Sequence, residues 1–592
     1  MPTRPPLTGP ALDRIRAANS LGAAFRARWA AAPEATACLE PENGGFRPFT
    51  ADTFGAEVNA IARGLLAAGI NPGDRVALTG PNGRWWAAVD LAALSVGAVV
   101  VPLYQGQQPA ELRYILEDAA PALVCLKGAK AVDEIAAAFS QAEYTPPVAA
   151  ADIGDRPLPA PMQAWSDFLA AGEALDPAAL ERATAEVGRD QLATLVYTSG
   201  TTGWPKGVEL THGNLLTNLE GILGALAIMP GDRFLSFLPV AHIFERTTGH
   251  LLAYLAGCEV AYARGPQSVA ADLGSARPTI LVAVPRLYQV FHDRAQGQRE
   301  RSRVTDTLLR WATGDGHRPP PLRGALARRL LAKRFRQRFG GRIRLLVSGG
   351  AALPPAVATF FRDVGLPILE GYGQTETAPV VACNRPGRGR IGTVGVPLPN
   401  VEVRLGADSE IQVRGPNVMG GYWNRPEETA AVFDGQWLRT GDVGELDADG
   451  YLRITDRLKE LLVTSGGKNI PPQRVELRLA AQPLIQQAVV FGDRQPFLAA
   501  LIVPDWENLW QRLGHDPQAP PDPQDTTANR QIREAVHHAL ADLPAWEQVR
   551  RFQLLTEPLS QESGELTPTL KVKRKVVARH YAEQIEALFT EG

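Results

Sequence analysis

Cysteine is scarce in this chain: Cys38, Cys125, Cys258 and Cys383 are the only four among 592 residues. They lie too far apart for a zinc-ligand spacing and are too few for a dense disulfide framework, so neither device holds the fold. A reducing compartment is the simpler setting. An excess of one charge is also missing. Lys and Arg number 61 against 63 Asp and Glu, for a net charge of -2, so no global field recruits nucleic acid or a membrane. The stretch Met1 to Arg16 has prolines and charges but no apolar core segment, and a secretory signal is not expected. Long hydrophobic runs are absent as well. The longest, Trp85 to Tyr104, is broken by Asp90, Ser95, Gly97 and Pro102 and falls short of the ~20 apolar residues a spanning helix needs. It reads as a buried helix, a turn at Gly97 and a buried strand Ala98 to Leu103. No internal repeat or coiled-coil heptad is present. The expected setting is cytoplasmic, at most peripheral on the cytoplasmic membrane face.

What the chain does have is enough apolar residues, 45%, for more than one core. Short β-branched runs alternate with apolar helical stretches. Val76 to Leu78, Ala98 to Val101, Ala122 to Leu126, Leu192 to Tyr197, Ile280 to Val284 and Arg344 to Val347 read as buried strands, with helices such as Thr53 to Ala68 between some of them. Such alternation predicts α/β layers with largely parallel sheets. From Asn400 the texture shifts to short strands joined by Gly and Asp turns: Val401 to Leu405, Glu410 to Arg414 and Gly450 to Thr455. A charged break at Asp456-Arg457 precedes a smaller α/β stretch, interrupted by a Pro-rich loop from Asp516 to Asp525. The expectation is a large N-terminal domain, residues 1–455, of layered α/β subdomains plus a small β subdomain. A smaller mobile C-terminal α+β domain, residues 456–592, follows.

One region departs from neutrality. Between Arg294 and Arg344 basic residues far outnumber acidic ones, and Leu326, Leu330, Leu331 and Phe335 recur at roughly helical spacing. The plainer reading is a solvated amphipathic helix packed on the domain. The sharper one is attraction to anionic lipid headgroups, with about 1 kcal/mol from each nearby Lys or Arg.

The chemistry concentrates in Tyr197-Thr-Ser-Gly-Thr-Thr-Gly-Trp-Pro-Lys206-Gly207, directly after a predicted strand. Gly200 and Gly203 lack a Cβ, so backbone N–H groups can turn inward and form an anion-binding concavity. The hydroxyls of Thr198, Ser199, Thr201 and Thr202 add rotatable donors for phosphate oxygens, and Lys206 supplies a mobile point charge. The string is not a Walker A loop, because Lys206 neither directly follows a glycine nor precedes Ser or Thr.

Further strings follow: Gly371-Tyr-Gly-Gln-Thr-Glu-Thr377, Thr440-Gly-Asp442, Gly450-Tyr-Leu-Arg-Ile-Thr-Asp-Arg457 and Ser465-Gly-Gly-Lys-Asn-Ile470. In this order they resemble the acyl- and aryl-CoA ligase, luciferase and peptide-synthetase adenylation superfamily. The resemblance extends over roughly residues 50 to 580. It implies ATP and CoA as co-substrates with Mg²⁺. Glu376 is a hard oxygen ligand of the kind Mg²⁺ takes, and by resemblance Glu376 and Thr201 hold the metal while Thr375 contacts the α-phosphate. Tyr372, followed by Gly373, offers a flat ring for adenine, and Gly349-Gly350-Ala351 offers a strand end where backbone can approach the base. Asp442, a pure acceptor when ionised, takes both ribose hydroxyls in family members, and Arg457 is implied as a second nucleotide contact. Asp456 is the implied hinge, with Gly466 and Gly467 in the loop that serves the CoA step.

Lys571, in Leu566-Thr-Pro-Thr-Leu-Lys-Val-Lys-Arg574, is the candidate adenylation lysine, with Lys573 second. The common pattern has Gly before this lysine; the Thr-Pro-Thr-Leu-Lys form resembles the long-chain acyl-CoA synthetase branch. So does Leu238-Pro-Val-Ala-His242-Ile-Phe-Glu-Arg246, which puts His242 and Phe244, with Gly349, at the acyl pocket. No protein nucleophile is required, so His212, His250 and Cys258 are read as structural or solvated. The expected activity is ATP-dependent conversion of a long-chain fatty acid to acyl-AMP with pyrophosphate release, then transfer to CoA. Delivery of acyl-AMP to a carrier protein, a medium-chain or aryl acid as substrate, and a non-catalytic nucleotide- or lipid-binding regulator stand as alternatives. Lys571→Ala is expected to abolish adenylation and spare thioesterification of preformed acyl-AMP; the same phenotype in Lys573→Ala instead would move the assignment to Lys573.

Overall fold

The structure, a computed structural model, describes residues 9–140, 142–154, 156–198, 204–301, 303–313, 321–458, 462–465, 469–567 and 572–590. Two large sheets dominate it. In the first, seven strands run in the order Met162–Ala164, Val148–Ala151, Leu123–Lys127, Arg75–Thr79, Val99–Pro102, Leu192–Thr198 and Lys206–Thr211. All neighbours are parallel except the last pair. The second sheet has nine strands, with a parallel centre of Thr36–Glu42, Glu259–Tyr262, Arg233–Ser236, Ile280–Ala283, Leu345–Ser348 and Ile368–Gly373. Antiparallel strands close both of its edges. Parallel strands covered on both faces are apolar throughout instead of alternating, which is why the predicted strand runs are short and almost wholly Val, Ile, Leu and Ala.

The tract Trp85 to Tyr104 takes the expected form: helix Arg84–Ser95 with every residue after Arg84 buried, a turn, and strand Val99–Pro102. Gly97 turns the chain at φ +75°, where a Cβ would also press on Pro72 and Val187 at 3.1 Å. This helix lies in a core that joins apolar residues of both sheets. Its one buried charged residue, Asp90, is wholly enclosed and forks onto Arg246. Arg246 Nε donates to Asp90 Oδ2 at 3.0 Å, Nη2 donates to Oδ1, and Nη1 donates to Thr194 Oγ1 at 2.7 Å.

Arg246 belongs to Glu245–Leu251, a fully buried π-helical turn, a rare geometry found mostly at functional sites. Glu245 folds back over Gly249, where a Cβ would stand 2.6 Å from its carboxyl oxygen, and burial pushes that carboxyl up to about 8. His212, His250 and Cys258 are all buried, which removes the solvated half of their reading. Burial pulls both imidazoles down to about 3, so they sit neutral, and His212 Nδ1 accepts from Leu21 N–H at 3.2 Å. All four cysteines are free and buried.

From residue 400 the chain forms a small antiparallel sheet of Glu402–Leu405, Glu410–Arg414, Phe433–Asp434, Trp437–Leu446 and Leu452–Arg457. A smaller C-terminal domain then builds its own cores around the strands Ile485–Phe491, Leu498–Pro504 and Val549–Leu554. In the basic region the helix Pro321–Arg338 buries Leu331 and Phe335, whereas Leu330 is 43% exposed. No described helix is long and apolar enough to cross a membrane.

Candidate active site

The two described ends of the glycine- and hydroxyl-rich string pair as a hairpin. Strand Leu192–Thr198 leads into it and Lys206–Thr211 leads out, with Tyr197 opposite Gly207 and Thr198 opposite Lys206. Gly207 is where Tyr197 and Trp423 crowd the backbone; a Cβ there would meet them at 3.1 and 3.3 Å. Ser199, Gly200, Thr201, Thr202 and Gly203 lie outside the described residues. Both ends of the hairpin are tied to the helix Pro109–Ala119. Tyr197 OH donates to Asp118 Oδ2 at 2.7 Å, and the Trp204 ring stacks on Tyr114 at 4.9 Å. Arg425 and Trp423 close the clamp by donating to Tyr114 OH at 2.7 Å and to Asp118 O at 3.1 Å.

These elements border a cavity of about 880 Å³, within the usual range for a small-molecule site. Its polar end gathers Thr198, Lys206, Gln374, Thr375, Glu376, Tyr422, Arg439 and Arg457. Lys206 Nζ pairs with Glu428 and stands 5.1 Å above the Tyr422 ring. Tyr422 OH donates to Glu376 Oε1 at 2.8 Å; burial and the neighbouring carboxylate push that hydroxyl up, which keeps it a donor. Tyr372, Gly373, Gly349 and Gly350 line the next stretch. Tyr372 OH donates to Asp442 Oδ2 at 2.7 Å, and Arg457 Nε holds Asp442 Oδ1 at 3.0 Å. Asp442 and Ala351 themselves stand outside the lining.

The other arm is apolar. Phe244 presses on Gly349 so closely that a Cβ there would lie 2.6 Å from its ring, and His242 Nδ1 accepts from Phe244 N–H at 3.2 Å beside it. Beyond this throat the arm follows one face of the large sheet. Ile280 and Val282 on one strand and Leu345 and Val347 on the next alternate toward it, opposite Ile222, Leu226, Thr248 and Leu252. Gly349 lies four residue steps beyond Leu345, so the arm runs about 13 Å along the strands.

The C-terminal domain reaches the same cavity. Gln561, Gly564, Leu566, Thr567 and Lys573 line it. A bridge between Leu566 and Val572, and Lys573 N–H donating to Glu565 O at 2.7 Å, hold the two sides of this segment together. Lys571, Gly466 and Gly467 lie outside the described residues. Asp456 pairs with Val443 in the small sheet, and its Oδ1 accepts from Arg457 N–H at 2.6 Å.

Among the described residues no group of three His, Cys, Asp or Glu forms a ready metal cage. The carboxylate of Glu376, in the cavity lining beside Thr375, fits Mg²⁺, which takes one or two carboxylates together with substrate phosphates and waters. Tyr422, Glu428 and the Tyr114–Asp118 pair were not anticipated. Tyr422 stands in an isolated bridge to Val208 and the others on helices, and only the tertiary fold brings them to the hairpin. Tyr422→Phe removes a hydrogen bond to a charged group, worth about 1.5–3 kcal/mol, so kcat/KM for ATP is expected to fall about 10- to 100-fold in a pyrophosphate-release assay. An unchanged value would show that the Tyr422–Glu376 contact plays no part.

Comparison with known proteins bears on this arrangement. The family model for AMP-binding enzymes matches residues 25–423, and the model for the AMP-binding enzyme C-terminal domain matches residues 459–592. The chain is 35% identical over 563 residues to the long-chain-fatty-acid–CoA ligase FadD15 of Mycobacterium bovis, covering 90% of this chain and 91% of that protein. It is 31% identical to the human long-chain-fatty-acid–CoA ligase 6, over 85% of this chain and 77% of that one. Among solved structures, the adenylation domain of a carboxylate reductase from Mycobacterium chelonae superposes with a TM-score of 0.79 at 24% identity, covering 98% of this chain and 93% of that one. The chain therefore belongs to the AMP-binding enzymes, among the long-chain-fatty-acid–CoA ligases.

Proposed function

We propose that this chain activates a long-chain fatty acid with ATP and passes the acyl group to CoA. The observation that carries the reading is the form of the cavity, an end rich in hydroxyl groups and in charges of both signs, continuous with an apolar arm along the sheet. In the first step a carboxylate oxygen attacks the α-phosphorus, the P–O bond to pyrophosphate breaks, and acyl-AMP forms. In the second the CoA sulfur attacks the acyl carbon, AMP departs with the bonding electrons, and the thiol proton is released.

Lys206 balances charge on the triphosphate, exchanging Glu428 for phosphate oxygens. Thr198 and Thr375 donate to those oxygens. Tyr372 carries the adenine, and Arg457 and, behind the lining, Asp442 are the groups assigned to the ribose. Glu376, steadied by Tyr422, would hold Mg²⁺ together with Thr201; the ion supplies charge neutralisation on the phosphates. Lys571 bridges carboxylate and α-phosphate, and Lys573 is the other candidate. His242, Phe244 and Gly349 form the throat that sets the carboxylate facing the phosphorus. The division falls at Asp456, and rotation there would replace the lysine segment with the Gly466–Gly467 loop for the CoA step.

The reading is tested by incubating the purified chain with ATP, Mg²⁺, CoA and acids from acetate to C20, plus aromatic acids, and measuring AMP and acyl-CoA. AMP formation should peak with long-chain acids and acyl-CoA should accumulate with it; acyl-AMP without acyl-CoA would point to a carrier protein as acceptor.

We also propose that the protein works at the cytoplasmic face of an anionic membrane. The helix Pro321–Arg338 has no acidic residue and exposes Arg328, Arg329, Lys333 and Arg334 around Leu330. Removing the charges of Arg328, Arg329 and Arg334 should weaken sedimentation with phosphatidylserine vesicles; unchanged binding would eliminate this surface.

A further inference from the structure

A second cavity, of about 630 Å³, lies behind the apolar arm. Leu226 and Ile228 line both cavities. They belong to the segment that joins the helix His212–Ala225 to the strand Arg233–Ser236, so they stand at the strand-start edge of the sheet. The phosphate-binding groups and the throat at Gly349 stand at the opposite edge, beyond the ends of the strands. An acyl chain whose carboxylate meets ATP therefore runs down the sheet face and brings its methyl end against Leu226 and Ile228.

That segment is pinned. Arg344 Nη2 donates to Ala227 O at 2.7 Å and its Nε donates to Asp232 Oδ1 at 2.8 Å. Asp232 Oδ2 accepts from Met229 N–H at 2.9 Å, and Thr279 Oγ1 donates to Oδ1 at 2.8 Å. Gly231 N–H reaches Gly257 O at 3.2 Å on the other side. A wall fastened at both ends does not swing aside for a longer tail.

We propose that Leu226 and Ile228 are the end wall that sets the chain-length limit of this enzyme, and that the cavity behind them receives the tail of longer acids once the wall is cut back. Beside the wall the space behind offers an alkyl end Leu12, Leu223 and Pro230, while Arg14, Arg385 and Arg388 complete its lining. The inference rests on the proposed acid activation and deepens it.

Pyrophosphate release with a series of saturated acids from C8 to C26 tests it in four proteins. In the wild type kcat/KM should drop sharply beyond one length. Leu226→Ala/Ile228→Ala should raise kcat/KM about tenfold for the acid two carbons past that length, relative to a C12 reference. That factor is two buried methylenes at about 0.8 kcal/mol each. Adding Ala225→Phe, at a position that lines only the second cavity, should restore the original limit. Ile228→Phe, which removes no packing, should move the limit to shorter acids. If the alanine variant does not fold, the Ile228→Phe profile decides alone. A limit unmoved by Ile228→Phe, or unmoved by the folded alanine pair, overturns the wall assignment. Failure of the wild type to release pyrophosphate with any acid would instead refute the proposed function.

Discussion

A buried ion pair holds the catalytic architecture in place. Asp90 comes from the helix packed between the two large sheets, Arg246 from the π-helical turn beside the apolar arm, and Thr194 from the strand that leads into the hairpin. Both charges are fully desolvated, so neither tolerates the loss of the other. Removing one partner of such a pair costs about 3–5 kcal/mol, because the remaining charge is stranded. One guanidinium thereby ties the central helix, the π-helical turn and the strand that leads to the hairpin.

The cavity needs two opposite environments within a short distance, and the parallel sheet supplies them. Loops at the strand ends carry the polar groups, while the sheet face below them is continuous Ile, Val and Leu. The polar groups satisfy one another: Lys206 with Glu428, Glu376 with Tyr422, and Asp442 with Tyr372 and Arg457.

Much of this was legible in the sequence because it is local. The buried strands from Val76 to Val347 announce themselves as apolar runs, and the breaks in Trp85 to Tyr104 mark a helix, turn and strand that the fold reproduces. The motif residues Thr198, Lys206, Tyr372, Thr375, Glu376 and Arg457, together with His242 and Phe244, meet at one cavity. The clamp at Tyr114 and Asp118 was illegible, since a tyrosine and an aspartate four residues apart on a helix look like any amphipathic surface. Tyr422 and the wall at Leu226 and Ile228 escaped for the same reason: their significance lies in what stands across from them. His212 and His250 were open between core and solvent because a lone histidine carries no burial signal of its own; the fold makes both neutral and interior.

The central claim is that one pocket joins a carboxylate to the α-phosphate of ATP. Exchange of labelled pyrophosphate into ATP, measured with the purified chain, Mg²⁺ and palmitate in the absence of CoA, reads that step alone. The account predicts exchange that depends on the acid. Exchange absent with palmitate and with every other acid tried would contradict it.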